Sequence, residues 1–459
     1  MIFLLRELLG VALFWALGVA IVRLFVKSIS TPAKLLIVFL GVGIGAGTSS
    51  IIWFLLYAVA HLKPIFPITF EIVCLGAALW AGHWTNERKK EWVAESEDSG
   101  PKLLPTLLVA APVLSAAAYF CMSSWITPDG EWDGWAIWNL HARILFKALH
   151  FWTGEMAALP FSHPDYPLLE PLAIVRLWVF GGHESPLGPV LIGFVFTFAT
   201  VGVLFSAIAL LKGWWQAAIG VVTLLGVSTF VHLGAAQYAD VPLSFFLLSS
   251  VALVACYTVS RNRHFMALAG LASGFAAWTK NEGWLFAGVL LFGYCILVFW
   301  QEKKMDLIRD VQYFAAAFAI PALITIIEKK MVPSASDVMT WASEWNSWLK
   351  LLEWKRISLI LTNFGSYLWS LDHWIVNPIL VLAAFGLLVG VESRAAIRRT
   401  GLTGFVSVLL TLIGYVVIYA ISEQDVVWYI NSSLQRLYLQ LLPVFLFSFL
   451  MFCRSPFAQ

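Results

Sequence analysis

Charge is what this chain has least of. Only 12% of its 459 residues are Asp, Glu, Lys or Arg, against about 25% in soluble domains. That excludes a water-soluble globule, because too few ionic groups exist to cover one. The charges also nearly cancel, at a net +2, so there is no basic field and no nucleic-acid partner is expected. Cysteine is sparse too. Cys74, Cys121, Cys256, Cys295 and Cys453 lie in or at the ends of apolar runs without metal-ligand spacing, which argues against a disulfide framework or a zinc site. No Walker loop, dinucleotide fingerprint, HExxH or nucleophile elbow occurs, and nucleotide chemistry is disfavoured accordingly. No cleavage-like site follows the first apolar run, so that run is expected to be a retained span.

What remains is 60% hydrophobic, in runs long enough to cross a bilayer as helices. The fold class expected is all-α: a polytopic membrane protein with about thirteen spans, at 8–26, 35–60, 65–84, 103–125, 187–211, 214–232, 241–259, 265–279, 283–300, 311–328, 374–391, 401–421 and 437–453. The 23 tryptophans concentrate at span ends, as an interfacial belt does. Lys27, Lys34, Arg88, Lys89, Lys90, Arg261, Arg263, Lys303, Lys304, Arg394, Arg398 and Arg399 place alternate loops inside, which puts the C-terminus in the cytoplasm. Two units are expected: residues 1–100, a three-span module ending in the linker-like stretch 93–102, and a membrane domain over 101–459.

The alternation sends almost every candidate for chemistry to the outer face. Two outer segments are long, 126–186 and 329–373. In the first, Asn139, Arg143, Lys147 and His150 form one polar stripe of a helix; in the second, Trp341, Trp345 and Trp348 form an aromatic one. Both suit helices lying in the interface and walling a cavity that opens outward.

Asp129, Glu131 and Asp133 alternate in a tryptophan-rich stretch. Extended backbone would put all three on one side, where Asp129 and Glu131 can bind a divalent cation such as Mg or Mn and one acid can serve as general base. The plainer reading is a solvated acidic helix start. His163-Pro164-Asp165-Tyr166-Pro167 follows, with two prolines holding His163, Asp165 and Tyr166 in a fixed relation; alternatively it merely punctuates the start of a helix. Asp240 stands two residues before Pro242, where helix capping is the favoured role. Lys280 and Glu282 interrupt two apolar runs, as a functional pair or as a tight turn in which they pair with each other. Arg436, two residues before Tyr438 at the mouth of the last span, can grip an anionic headgroup or snorkel. Glu71, mid-span, is given only a packing role.

In order along residues 125–445, Trp132-Asp133-Gly134, His163-Pro164-Asp165-Tyr166-Pro167, Asp240-Val241-Pro242, Lys280, and Arg436-Leu437-Tyr438 through Pro443 resemble the motif set of the GT-C superfamily of multi-spanning glycosyltransferases. The branch resembled is that of bacterial protein O-mannosyltransferases and lipid A aminoarabinose transferases. Two positions depart from its pattern. Gly134 stands where a second acid often is, leaving Glu131 or Asp129 as substitutes, and Asp165 interrupts a His-Pro-Pro segment.

The resemblance implies transfer of a sugar from a polyprenyl-phosphate carrier to a lipid, glycan or protein acceptor, with inversion, at the outer face of a bacterial inner membrane. Asp133 would be the general base, with Glu131 beside it. Lys280 and Arg436 would steady the leaving phosphate, and His163, Asp165, Tyr166, Asp240, Glu282 and Tyr438 would line the substrate site. Competing readings are a flippase for a lipid-linked sugar, which would need alternating access and usually shows repeated halves absent here, and a glycan polymerase or ligase of another fold.

Overall fold

The computed structural model describes residues 2–28, 30–85, 91–92, 103–299, 304–332, 334, 337–369 and 378–455. The expected linker 93–102, the basic residues Arg88, Lys89, Lys90 and Lys303, and positions 374–377 of one expected span lie outside them.

Long apolar runs become helices because helices alone satisfy every backbone group within one segment. Three lead the chain: α1 (Ile2–Phe25), α2 (Thr31–Trp53) and α3 (Ile65–Thr85). α4 (Leu103–Ile126) leads to the first long connecting segment, which holds α5 (Asn139–Lys147), α6 (Trp152–Ala157) and α7 (Leu169–Gly181). The central bundle comprises α8 (Leu187–Lys212), α9 (Trp214–Gly226), α10 (Ser228–Ala235), α11 (Asp240–Ser260), α12 (His264–Thr279), α13 (Glu282–Val298) and α14 (Lys304–Met331). The second long connecting segment forms α15 (Asp337–Ser343), α16 (Trp345–Leu349) and α17 (Trp354–Trp369), and α18 (Pro378–Val389), α19 (Ala395–Ile421) and α20 (Val426–Phe452) follow. The extended exception is a two-residue parallel pairing of β1 (Lys27–Ser28) with β2 (Glu91–Trp92).

Among the described residues, nine helices are long and apolar enough to cross a bilayer, or ten if α9 and α10 make one bent span. The chain is therefore an all-helical, multi-pass membrane protein with fewer full-length spans than the thirteen expected. The shortfall has a local cause. The runs 265–279 and 283–300 fold as α12 and α13, of 16 and 17 residues, short of the ~20 that a span needs, and the run 374–391 is described from residue 378 onward, as α18. The run 214–232 breaks at Val227, whose φ of −86° and ψ of 89° leave the helical region, and the axis turns by 65°.

α11 is the most enclosed of the spans and packs on α8, α12, α19 and α20. Its first residue, Asp240, is therefore carried at the end of the bundle's axis. α1 and α2 cross closely because Cβ atoms on Gly18 and Gly45 would overlap the carbonyl oxygens of Gly41 and Phe14, the small-residue contact by which membrane helices approach.

Glu71 does more than pack. Its carboxylate accepts from Arg176 Nε at 2.8 Å and Nη2 at 2.6 Å, from Trp53 Nε1 at 2.6 Å, and from the Ser49 hydroxyl. Arg176 Nη1 also donates to the Gly10 carbonyl at 2.6 Å. This buried pair ties α1, α2 and α3 to α7. At the far end of the bundle, Lys212 meets Glu392, and Arg263 meets Asp306 at 2.6 Å and Asp310 at 2.9 Å. The basic loops thus carry structural ion pairs that their spacing did not announce.

Candidate active site

The acidic loop is shaped by one carbonyl. Gly130 turns the chain with φ +78°, and the next amide, Glu131 N–H, donates to Ala236 O at 3.1 Å. A Cβ on Gly134 would stand 2.5 Å from that same oxygen, and one on Gly130 2.7 Å from it. Only glycine lets the loop lie this close to the turn joining α10 and α11. Gln237, held at φ +62°, fastens it: its Nε2 donates to Pro128 O at 2.9 Å and its Oε1 accepts from Asn139 Nδ2 at 2.6 Å. The absent acid at position 134 is thus explained by space.

The three acids do not share one side. Asp133 is already helical, with φ −67° and ψ −33°, so the extended alternation expected for residues 129–133 does not hold. Asp129 lines a cavity of about 160 Å³ together with Asn139, Arg143 and Glu184. Glu131 pairs with His232 at 2.9 Å. Asp133 faces Arg436, whose Nη2 is 2.6 Å from its Oδ2. The polar stripe of the first long connecting segment is likewise spoken for, since Asn139 is buried and Arg143 and Lys147 both pair with Glu184 at 2.5 Å.

Behind Asp133 lies the centre of the cluster. Asp240, 1% exposed, accepts from Arg436 Nη2 at 3.1 Å, Lys280 Nζ at 3.1 Å and Gln440 Nε2 at 2.5 Å. Ala239 occupies the cap position of α11, and no side chain caps that helix, so the capping role expected of Asp240 is replaced by an ionic one. A buried carboxylate needs such partners, because desolvation alone would be prohibitive. Lys280 also reaches Glu282 at 3.2 Å. Burial works against the Lys280 ammonium, but Asp240 and Glu282 outweigh it and lift its pKa above the ordinary value, so it stays charged. The Arg436 guanidinium lies 4.7 Å over the Tyr238 ring. Burial and the Asp133 charge push the Tyr238 phenol up to about 12.

The proline-held segment contributes an aromatic wall. His163 takes a left-handed φ of +52° and stacks on Tyr166 with ring centroids 4.9 Å apart; Tyr166 stacks on Trp138 at 5.4 Å. Enclosure, together with Glu282 and Asp165, raises the Tyr166 phenol well above its usual range, which keeps it a neutral donor. Asp165 is tied down, its carboxylate accepting from Asn281 Nδ2 at 3.0 Å and its carbonyl from Lys329 Nζ at 2.9 Å. Burial raises its pKa despite Lys329 nearby. Tyr438 is not part of this group: its hydroxyl donates to Phe364 O at 2.9 Å, which anchors α17 to α20.

The second long connecting segment docks through Lys350 on Glu423 and through Arg356 Nη2 on Ser422 O at 2.6 Å. Its three tryptophans do not share an environment: Trp341 is 6% exposed and Trp345 75%. Sequence reasoning missed Gln440, although it stands one helical turn after Arg436 and so on the same face. It also missed Gln237 and Glu170. The latter is buried with Oε2 unpartnered, and burial followed by the Asp240 charge raises its pKa well above the ordinary value.

Among the described residues, no three His, Cys, Asp or Glu side chains are placed to hold a metal ion. With Glu131 on His232 and Asp129 lining a separate cavity, the donor set does not fit the Mg or Mn expected there. The arrangement offers a carboxylate at the rim, 15% exposed, against a guanidinium that is 20% exposed, with Asp240 and Lys280 beneath them at 1% and 4%. Such a group can take a proton at the rim and hold an anion beside it. Comparison of the chain with protein-family models, with curated proteins and with solved structures gave no match.

Proposed function

We propose that the chain is a membrane glycosyltransferase of the GT-C type, acting at the outer face of a bacterial inner membrane. The donor is a hexose or pentose on polyprenyl phosphate. With α9 and α10 counted once and α12, α13 and α18 counted as crossings, the nine long helices make the thirteen spans of this reading. The observation that carries it is the contact of Asp133 with Arg436, in a cluster that also holds Lys280.

In the proposed reaction the acceptor hydroxyl oxygen attacks the anomeric carbon from the face opposite the phosphate. Asp133 takes the hydroxyl proton as the new glycosidic bond forms. The bond from the anomeric carbon to the phosphate oxygen breaks, and its electron pair leaves with the carrier phosphate. Arg436 and Lys280 stabilise that developing charge, which fixed cations do best where water is scarce. Arg436 also acts as a switch: the donor phosphate competes for the guanidinium and releases the Asp133 carboxylate to act as base. No step runs through a metal ion.

The test supplies a polyprenyl-phosphate sugar and candidate acceptors to the purified protein in detergent and follows free carrier. Carrier release with glycosylated product supports the transferase. Translocation of the lipid-linked sugar in liposomes without release would replace it with the flippase reading.

A further inference from the structure

A second cavity, of about 560 Å³, lies between α1, α2 and α3. It sits where α1 ends and α2 begins, on the face from which α4 starts its crossing. The Asp133 loop follows the other end of α4, so the two sites occupy opposite faces. Arg23, Lys27, Lys34 and His83 line this cavity, and none of its described lining residues is acidic. The outer site, by contrast, is dominated by carboxylates.

The three helices share one profile. On α1, Val19 and Ala20 lie one turn deeper than Arg23, with Lys27 just past the helix end in β1; on α2, Ile37 and Val38 lie one turn deeper than Lys34. On α3, Ala78 and Leu79 lie a turn deeper than Gly82 and His83. The cationic and imidazole groups therefore ring the membrane edge, with aliphatic wall for roughly 6 Å beneath them at 1.5 Å per residue. Val38 and Leu79 are exposed, so the wall faces the lipid side of the bundle. A soluble anion would use the cations and leave the wall bare.

We propose that this cavity binds one anionic phospholipid, its phosphate among Arg23, Lys27, Lys34 and His83 and the first part of an acyl chain along the aliphatic wall. Basic pockets between membrane helices hold such headgroups by charge, and each buried methylene of the chain adds to the affinity. The proposal is independent of the glycosyltransferase reading and is tested without turnover.

The full-length protein in neutral detergent is titrated with phosphatidylglycerol, phosphatidylcholine or inorganic phosphate, and bound molecules are counted by native mass spectrometry. One phosphatidylglycerol is expected to bind at least tenfold more tightly than phosphatidylcholine. R23Q/K34Q should bring it to the phosphatidylcholine level. G82L should exclude it while keeping every cation, since a Cβ at Gly82 meets only Leu24 Cδ2 at 3.9 Å and the larger side chain fills the wall. R309Q, an exposed cation outside the cavity, should bind as wild type. Melting in lipid-free detergent checks folding, and G82L decides if the double variant unfolds. Equal retention of the two lipids, phosphatidylglycerol binding untouched by G82L, or its displacement by millimolar phosphate would overturn the proposal.

Discussion

Arg436 Nη2 lies 2.6 Å from Asp133 Oδ2 and 3.1 Å from Asp240 Oδ2, so one guanidinium nitrogen joins the acidic loop to the first residue of α11. Two carboxylates drawn to one cation cannot both keep it when an anion arrives. Lysine at 436 would keep the charge but lose the planar fork. R436K is therefore expected to fold, to melt within a few degrees of wild type, and to lose at least ~tenfold in turnover, about 1.4 kcal/mol. Wild-type turnover by R436K would show that a point charge suffices there.

Gly134 is one of the two places where the chain departs from the pattern of the proposed family, and the departure is steric. With Ala236 O only 2.5 Å from a Cβ, G134A must shift backbone, at a cost of ~1–3 kcal/mol. G134D should cost more, because a second carboxylate would be added beside Asp133. Melting in detergent checks both. A G134D protein as stable as wild type would mean that the loop has another resting position.

The Glu71–Arg176 pair gives a prediction with a built-in control. E71Q leaves a guanidinium buried without its counter-charge, which costs ~3–5 kcal/mol. E71L/R176M removes both charges and keeps apolar volume, so it should recover most of that loss. Thermal unfolding of the two variants is the measurement. A double variant no better than E71Q would show that the hydrogen bonds of Arg176 to Gly10, not charge balance, hold α1 to α7.

Acid should weaken the far end of the bundle before the near one. Burial opposes the Glu392 charge, but hydrogen bonds from Arg394 and Lys212 outweigh it and hold the carboxyl at about 2, below its ordinary 4.5. A depressed carboxyl contributes stability that is complete above the unfolded value and lost as pH falls through the folded one. Wild type should thus lose melting temperature between about pH 4.5 and 2 in larger measure than E392Q. Parallel curves for the two would remove Glu392 from the account.

How much of this was legible in advance depends on the kind of signal. Helical class, and the placement of Asp133, Asp240 and Lys280 at helix ends rather than mid-span, follow from apolar length and alternation, which are local. Of the thirteen expected spans, nine match long apolar helices among the described residues, while a run of 16 residues such as α12 is shorter than a full crossing. Asp240 read as a cap because nothing local reveals that Lys280, Arg436 and Gln440 converge on it. Glu71 and Arg176, and Gln237 and Asn139, find each other only through tertiary packing. Gln440 was legible and overlooked, since its one-turn spacing from Arg436 was in plain view.

The central claim is that Asp133 takes the acceptor proton, and it is met most directly by comparing D133N with wild type in release of polyprenyl phosphate from a lipid-linked sugar. Asparagine keeps the shape and a hydrogen-bonding oxygen toward Arg436 but is no base. The account predicts loss of at least ~10²-fold in release, the lower range for a general base, with melting and membrane insertion unchanged. D133N turnover equal to wild type, in a folded protein, would contradict it.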